Sequence, residues 1–332
     1  MMAKVTLKEI ARRAGVTANT VSRALNHRGG ISQATQRRIL EIARDMNYIP
    51  DRIASSLRSM KSNLIGVMVP NVSTANWADI LRGVEDCATD NGYQILLSNS
   101  QEERAREKAI LEQFRSLRVQ GLILMPSFES QELIRTIAGL ATPCVLINRR
   151  YMGYAIPFVM PDNVNGIRQA VAHLVKKGHE HIGFVNGHPG SMTSQIRYNA
   201  FTESMRESGI DLAGCPYAMC KGTCASATEA TRALLQEHPA TTALMCFSDL
   251  IAFGAYKAVQ DLGRKIPADI GVVGFDDVDL ATIVSPPLTT VHIPRYDMGK
   301  TAMRILLKAM AGEKIEPLGQ FMETRLVVRE SA

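Results

Sequence analysis

The chain has 332 residues, 46% of them hydrophobic and 21% charged, with a net charge of +6. That length allows two or three domains with a sizeable core, and no apolar run approaches the ~18 residues that a membrane span needs. The opening residues MMAKVTLKEI lack the apolar stretch of a secretory signal, so a cytoplasmic protein with no membrane partner is expected.

The charge is unevenly placed. Residues 1–60 hold 11 Lys+Arg against 4 Asp+Glu, a balance of +7, which leaves −1 for the rest of the chain. A basic head on a nearly neutral body points to a polyanionic partner for the head alone. The six cysteines, Cys87, Cys144, Cys215, Cys220, Cys224 and Cys246, fit no C-x-x-C zinc pattern. Reduced thiols, buried or idle, are expected rather than a metal or redox cluster at Cys215, Cys220 and Cys224.

In chain order, Thr6-Leu7-Lys8-Glu9 reads as a capping box, with Thr6 as N-cap and Glu9 at N3. Leu7, Ile10, Ala11 and Ala14 then mark the inner face of a short helix that Gly15 ends. Thr17 caps a second helix starting at Ala18. Val21, Ala24 and Leu25 share one side of it; Ala18, Asn19, Ser22, Arg23 and Asn26 share the other. Ser32 caps a third helix, with Ile39, Leu40, Ile42, Ala43 and Met46 inward. Two short helices joined by a tight turn with Gly, plus a brace, make a helix-turn-helix head.

The outward side of the second helix is small, polar and basic, and such a helix enters the major groove of double-stranded DNA with its N-terminal residues leading. Asn19 suits adenine, Ala18 a thymine methyl, and Arg23 a guanine or a phosphate. Thr17, Thr20 and Ser22 suit phosphates, as do the amides of the helix start. Thr6 and Asn26 complete the candidate DNA-contacting set of the head. A plain solvated face is the alternative, and the charge balance and cap spacing argue against it.

In YIPDRIASSLRSMKS, residues 48–62, Pro50 is expected to end the third helix and Asp51 to cap a short one over Arg52–Arg58. Its apolar residues Ile53, Ala54 and Leu57 are too few to fold alone, which invites pairing with a second copy on DNA. Paired Leu57 side chains, with Ala54 beside them, could wedge into a minor-groove step. An ordinary flexible linker is the alternative.

The segments VTLKEIARRAGVTANTVSRALN and YIPDRIASSLR resemble the head and hinge of the lactose/galactose repressor (LacI/GalR) family. The resemblance implies that Ala18, Asn19 and Arg23 read bases and that Leu57 is the minor-groove lever. Asp51 departs from the Asn usual in the family; it either weakens hinge contacts to DNA or caps the hinge helix.

From Asn63 onward, apolar strands alternate with helical patterns: 64–70, 94–99, 121–126, 144–148, 181–186, 243–248 and 271–276 are strands, and a helix is expected from Trp77 to Asn91. This rhythm implies parallel sheets covered on both faces, joined by right-handed crossovers. About 270 residues are too many for one compact core, so two lobes are expected. Ligands of such sheets bind beyond the carboxyl ends of the strands. The candidates there are Asn71 and Ser73, Asn148 and Arg149, Ser191 to Arg197, Ser248 and Asp249, and Asp276 and Asp277. Arg197 can fork onto hydroxyls or a carboxylate, and Asp276 can accept two hydroxyl protons. Trp77 either stacks on a sugar face or packs between lobes.

ILRGVED, GHEHIGFVNG, RYNAF, VVGFDD and SPPLTTVHIPRYDMG carry the family resemblance through the body. The implied fold is an N-terminal all-α helix-turn-helix head (1–49), a hinge helix and linker (50–62), and a two-lobed α/β body (63–332) like periplasmic sugar-binding proteins. Lobe 1 would take about 63–160 plus 293–323, and lobe 2 about 163–290 plus 324–332, with an effector between them. By the resemblance, Arg197 and Asp276 hold sugar hydroxyls, and Asn148, Thr193 and Ser248 lie in the pocket; Ser73, Trp77 and Arg295 are further effector-contact candidates from their places at the strand ends and cleft. Ser248 stands where Asn is frequent and Leu250 is apolar, so the pocket is not lactose-like. Arg149, Arg150 and Arg295 add positive charge, which suits a sugar acid or phosphate, or else interlobe salt bridges.

No Walker A run and no dinucleotide G-x-G-x-x-G follows a strand. His179 and His181 lack a third ligand at metal spacing and suit a helix C-terminus, where a cation is favoured. The side chains of Asp276 and Asp277 should diverge. No enzyme, metal or cofactor is expected. The expected function is a homodimeric transcriptional repressor reading a near-palindromic operator, switched by a carbohydrate or sugar-acid effector, with lobe 1 carrying much of the dimer contact. A sugar-binding module without DNA function is the alternative, opposed by the basic head and the missing leader. The sign of the effector's action stays open.

Overall fold

A computed structural model of the chain describes residues 5–25, 30–48, 62–127, 130–188 and 190–332. The chain divides into two compact units, Met1–Ser62 and Asn63–Ala332.

In the first unit, α1 (Leu7–Ala14), α2 (Ala18–Leu25) and α3 (Gln33–Asp45) bury Ile10, Ala14, Val21, Ala24, Ile39 and Ala43 together. The capping box forms: Glu9 N donates to Thr6 Oγ1 (3.4 Å) and Thr6 N to Glu9 Oε2 (2.7 Å). Those bonds hold the Glu9 carboxyl below its ordinary value. Gly15, at φ 65, closes α1 in the left-handed region that glycine adopts without strain. Ser32 caps α3, accepting from Thr35 N (3.2 Å). From α3, Gln36 Nε2 donates to Ala24 O (3.3 Å) and Arg38 to Ala14 O, so α3 satisfies carbonyls at the ends of α2 and α1. One expectation is corrected: α3 ends at Asp45, before Pro50, because Asn47 turns left-handed at φ 49. Asn26, and the short helix expected over 52–58 with Asp51, Ala54 and Leu57, lie outside the described residues.

The second unit holds two six-stranded sheets. In the first, β1 (Leu64–Val69), β2 (Gln94–Asn99), β3 (Gly121–Leu124), β4 (Cys144–Ile147), β5 (Phe158–Pro161) and β11 (Gly319–Met322) run parallel in the order β11-β5-β4-β3-β1-β2. In the second, β6 (Ile182–Asn186), β7 (Tyr217–Met219), β8 (Ala243–Cys246), β9 (Gly271–Asp276), β10 (Thr289–His292) and β12 (Arg325–Val327) take the order β12-β10-β9-β8-β6-β7. Only β12 is antiparallel to its neighbour there. The helices α4 (Ala75–Asp90), α5 (Arg104–Ser116) and α6 (Gln131–Ala138) follow strands of the first sheet. The second sheet carries α7 (Asn163–Lys176), α8 (Met192–Glu207), α9 (Cys224–Glu237) and α10 (Asp249–Asp261).

α11 (Arg295–Met310) follows a strand of the second sheet but packs on the first. Its Met298, Ala302, Met303 and Leu306 share one core with Ile65, Val67 and Ile123. The chain therefore passes between lobes at 161–163, 292–295 and 322–325. α4 and α11 cross with their backbones almost touching. A Cβ on Gly83 would collide with the Tyr296 carbonyl oxygen, and one on Gly299 with the Ile80 carbonyl oxygen. No helix among the described residues is long and apolar enough to cross a membrane.

Candidate functional site

On the head, Asn19 and Arg23 are exposed on α2 and lie one turn apart, so their side chains stand on one face. Ser22 and Thr20 beside them are half-buried. Ala18 is also half-buried and packs on the head core, so it belongs partly to the inner side. Thr17 Oγ1 accepts from Thr20 N (3.2 Å) and lies 2.9 Å from Thr20 Oγ1, which fixes the start of the helix. The Arg23 guanidinium covers Gly30, where a Cβ would collide with it. Thr6 is committed to its capping box.

In the body, the carboxyl ends of both sheets converge on α8, which carries Thr193 and Arg197 at i and i+4. Asn148 follows β4 with φ 58. Its carbonyl accepts from Arg149 Nη1 (2.7 Å), which also donates to Thr193 Oγ1 (3.1 Å). That pair joins lobe 1 to lobe 2. Arg197 is buried: Nε donates to Asn163 Oδ1 (2.8 Å), Nη1 donates to Phe247 O, and Nη2 lies 3.8 Å from Asp276 Oδ1. Its guanidinium lies over the Phe275 and Phe247 rings, 3.6 and 4.6 Å from their centres, a cation–π arrangement.

Burial pushes the Asp276 carboxyl well above the usual carboxylate range; Arg197 opposes that shift and Asp249 adds to it. Burial also lowers Arg197, to about 10, which leaves it charged at neutral pH. Asp249 is fully buried, accepts from Val278 N (2.9 Å) and Thr290 Oγ1, and sits where a Cβ on Gly274 would collide with it. It holds the β9 turn. Asp277 turns the other way, accepting from Arg329 Nη2 (2.6 Å) and pairing with His292 Nδ1 (2.9 Å).

Three arginines of the cleft, Arg149, Arg197 and Arg295, bond oxygens of the protein itself. Arg295 donates to the carbonyls of Asp276 and Asp277 and, through Nε, to Asp79 Oδ2 (3.3 Å). Arg150 is half-buried. Trp77 packs on the lobe 1 core, which accounts for its burial. Ser248 is half-buried and caps α10, accepting from Ile251 N (3.3 Å). Ser73 is exposed, its amide donating to Asn71 Oδ1 (3.0 Å). His179 lies beyond the end of α7 with Nδ1 3.0 Å from Thr242 Oγ1, and burial lowers its pKa. That bond and the lowered pKa oppose the expected helix-end cation at His179. All six cysteines are free, and no cluster of metal-ligating side chains occurs among the described residues.

Further residues of the cleft wall come from the structure. Asn76 Oδ1, Ser100 Oγ, Glu107 Oε2, Ser127 Oγ, Asn148 Oδ1 and Asp276 Oδ1 are buried without a hydrogen-bond partner among the described residues. All six lie at the carboxyl ends of strands or against them. Asn76 opens α4 after β1, Ser100 follows β2, Ser127 follows β3, and Glu107 Oε1 accepts from Ser127 N (2.6 Å). Burial raises the Glu107 carboxyl against the pull of that bond and of Arg149. Ser100 and Ser127 were open to the strand-end rule; Glu107, one carboxylate on a highly charged helix, carries no local signal.

Residues 6–51 match bacterial regulatory proteins of the lacI family, and residues 171–332 match a periplasmic binding protein-like domain. The chain is 33% identical to the ribose operon repressor of Halalkalibacterium halodurans, with 98% of this chain and 96% of that protein aligned. It is 32% identical to the HTH-type transcriptional repressor PurR of Photobacterium profundum, over 98% of each. The crystal structure of the Lac repressor dimer bound to operator and the anti-inducer ONPF matches with a TM-score of 0.90 at 27% identity, covering 99% of each chain. A helix-turn-helix head on a two-lobed body with parallel sheets, matched end to end by repressors, places the chain in the lacI family of bacterial regulatory proteins: it is a DNA-binding transcriptional regulator and not an enzyme.

Proposed function

We propose that the protein is a homodimeric repressor that acts in the cytoplasm on a near-palindromic operator and is switched by a small polyhydroxyl effector bound between the lobes. Each head reads one half-site through Asn19, with Arg23, Ala18, Thr17, Thr20 and Ser22 at the groove wall and phosphates. The segments with Ala54 and Leu57 meet in the central minor groove. Leu250, Leu280 and Ile283, 37%, 49% and 73% exposed on lobe 2, support pairing with a second copy beside any contact made by lobe 1.

One observation carries the effector reading: among the buried polar atoms without partners, the six named above stand at strand carboxyl ends or against them, while others, at Thr231 and Thr241, lie elsewhere. Leaving a buried polar group unpaired costs about 1–3 kcal/mol, so a ligand that satisfies several of them binds well. Two of the six, Asn76 Oδ1 and Asn148 Oδ1, are amide oxygens that only accept, and the Glu107 and Asp276 carboxyls accept in their ionised form. The guanidinium groups of Arg149, Arg197 and Arg295 already donate to protein oxygens. A ligand offering O–H or N–H donors therefore fits better than a sugar acid or sugar phosphate. A relative named for the ribose operon agrees with that class.

Effector and operator then change each other's affinity by the same factor, typically worth roughly 1–3 kcal/mol. The test is a thermal-shift screen of the whole chain with neutral sugars, nucleosides, sugar acids and sugar phosphates, followed by gel shifts with each hit. A ligand at 100 times its Kd stabilises by about 2.7 kcal/mol. Hits confined to acids or phosphates would reverse the assignment of ligand class, and a hit without effect on operator binding would remove the switch.

A further inference from the structure

The observations on Arg295 go beyond a pocket-lining role. Arg295 opens α11, whose inner face is part of the lobe 1 core, yet its guanidinium reaches into lobe 2. There it donates to two successive carbonyls, Asp276 O and Asp277 O, the latter at 3.0 Å. Those two residues have φ values of 123 and 57, a left-handed run that side-chain-bearing residues rarely adopt. The same guanidinium bonds Asp79 on α4 through Nε at 3.3 Å, and it is only 8% exposed. A fixed planar fork that satisfies two carbonyls and one carboxylate at once sets the positions of all three, a geometry that an ammonium cannot copy.

We infer that Arg295 is a positioning residue: it holds the Asp276–Asp277 turn in its left-handed form, aims the Asp276 carboxylate into the cleft, and locks that aim to α4 of lobe 1 through Asp79. Its place at the 292–295 crossover puts this clamp at a pivot between the lobes. Rotating one lobe about the other stretches the bond to Asp79 or drags the turn. α4 belongs to the first strand–helix unit after residue 62, and α11 rests on it with glycine-close contact at Gly83 and Gly299. In a regulator of the kind proposed above, on which this last step rests, cleft occupancy at Asp276 reaches α4 through one side chain.

The clamp is tested without effector or DNA, so its failure stays distinct from failure of the regulatory reading. Spin labels at Glu112 on α5 and Glu229 on α9, in the full chain, report the interlobe distance by electron–electron double resonance. The wild type should give one narrow distribution. Asp79→Ala, which removes the lobe 1 end of the clamp together with the exposed Arg82–Asp79 pair (3.1 Å), should broaden or shift it while Tm stays within a degree or two, and Arg82→Ala, which leaves the Arg295–Asp79 bond, should not. Arg295→Met should do so more strongly, and Arg295→Lys should not restore it. A distribution unchanged in Asp79→Ala overturns the inference, whether or not Arg295→Met folds. Full rescue by Arg295→Lys overturns the role given to the planar fork.

Discussion

Arg197 Nη2 lies 3.8 Å from Asp276 Oδ1, with the two side chains 5% and 7% exposed. The separation is an ion pair without a hydrogen bond, so the carboxylate oxygen keeps its accepting capacity for a ligand. Removing one partner of a buried pair leaves the other charge uncompensated, at about 3–5 kcal/mol. Arg197→Met should therefore lower body stability by that order in denaturant unfolding and abolish any effector response. Wild-type stability in the variant would contradict the burial of the pair.

The pH dependence of stability follows from the same carboxylate. Burial raises the Asp276 pKa above the 3.8 of an unfolded chain. Between those two values the folded state binds a proton that the unfolded state has lost, so stability falls as pH rises from about 4 towards neutrality. Asp276→Asn carries no titrating group and should flatten this part of the curve. The check is a series of melting curves from pH 4 to 8 on both proteins; parallel curves would assign the slope to other groups, Asp249 first.

What could be read beforehand was local. The Thr6 and Ser32 caps, the Gly15 stop and the seven apolar strands each carry their signal within a few adjacent residues. β5, β7, β10, β11 and β12 lie at an edge of their sheet or next to it, and they form because the sheet is already there to pair with. The cleft was legible where the strand-end rule applies, at Asn148, Thr193, Arg197 and Asp276. Glu107 and the Arg295–Asp79 bond were not, because they depend on which helices the topology brings together. The end of α3 was misplaced for a related reason. Pro50 is a visible breaker, but the left-handed turn at Asn47 acts three residues earlier.

The Gly83–Gly299 crossing predicts a specific pattern of damage. A methyl group at either position meets a backbone oxygen, which cannot rotate away as a side chain can. Gly83→Ala and Gly299→Ala should each cost about 1–3 kcal/mol, the usual range for overpacking. The double variant should cost less than the sum, because the first methyl already forces the helices apart. Denaturant titration of the three variants measures this; full additivity would mean that the two contacts yield independently.

The head offers a contrast between two neighbouring side chains on one helix face. Asn19 is uncharged, so in the base-reading role proposed for it no counterion is released, and a bidentate contact to adenine carries about 1–3 kcal/mol of discrimination. Arg23 is charged and adds to phosphate neutralisation wherever it docks. Asn19→Ala should weaken binding to an operator selected from random DNA, leave weak binding to unrelated DNA unchanged, and keep the salt slope. Arg23→Ala should weaken both and reduce the slope of log K against log salt by about 1, the signature of one phosphate contact. Fluorescence anisotropy across a salt series reads both quantities. If Arg23→Ala kept the slope and lost only discrimination, Arg23 would be a base reader, with its guanidinium on guanine rather than on a phosphate.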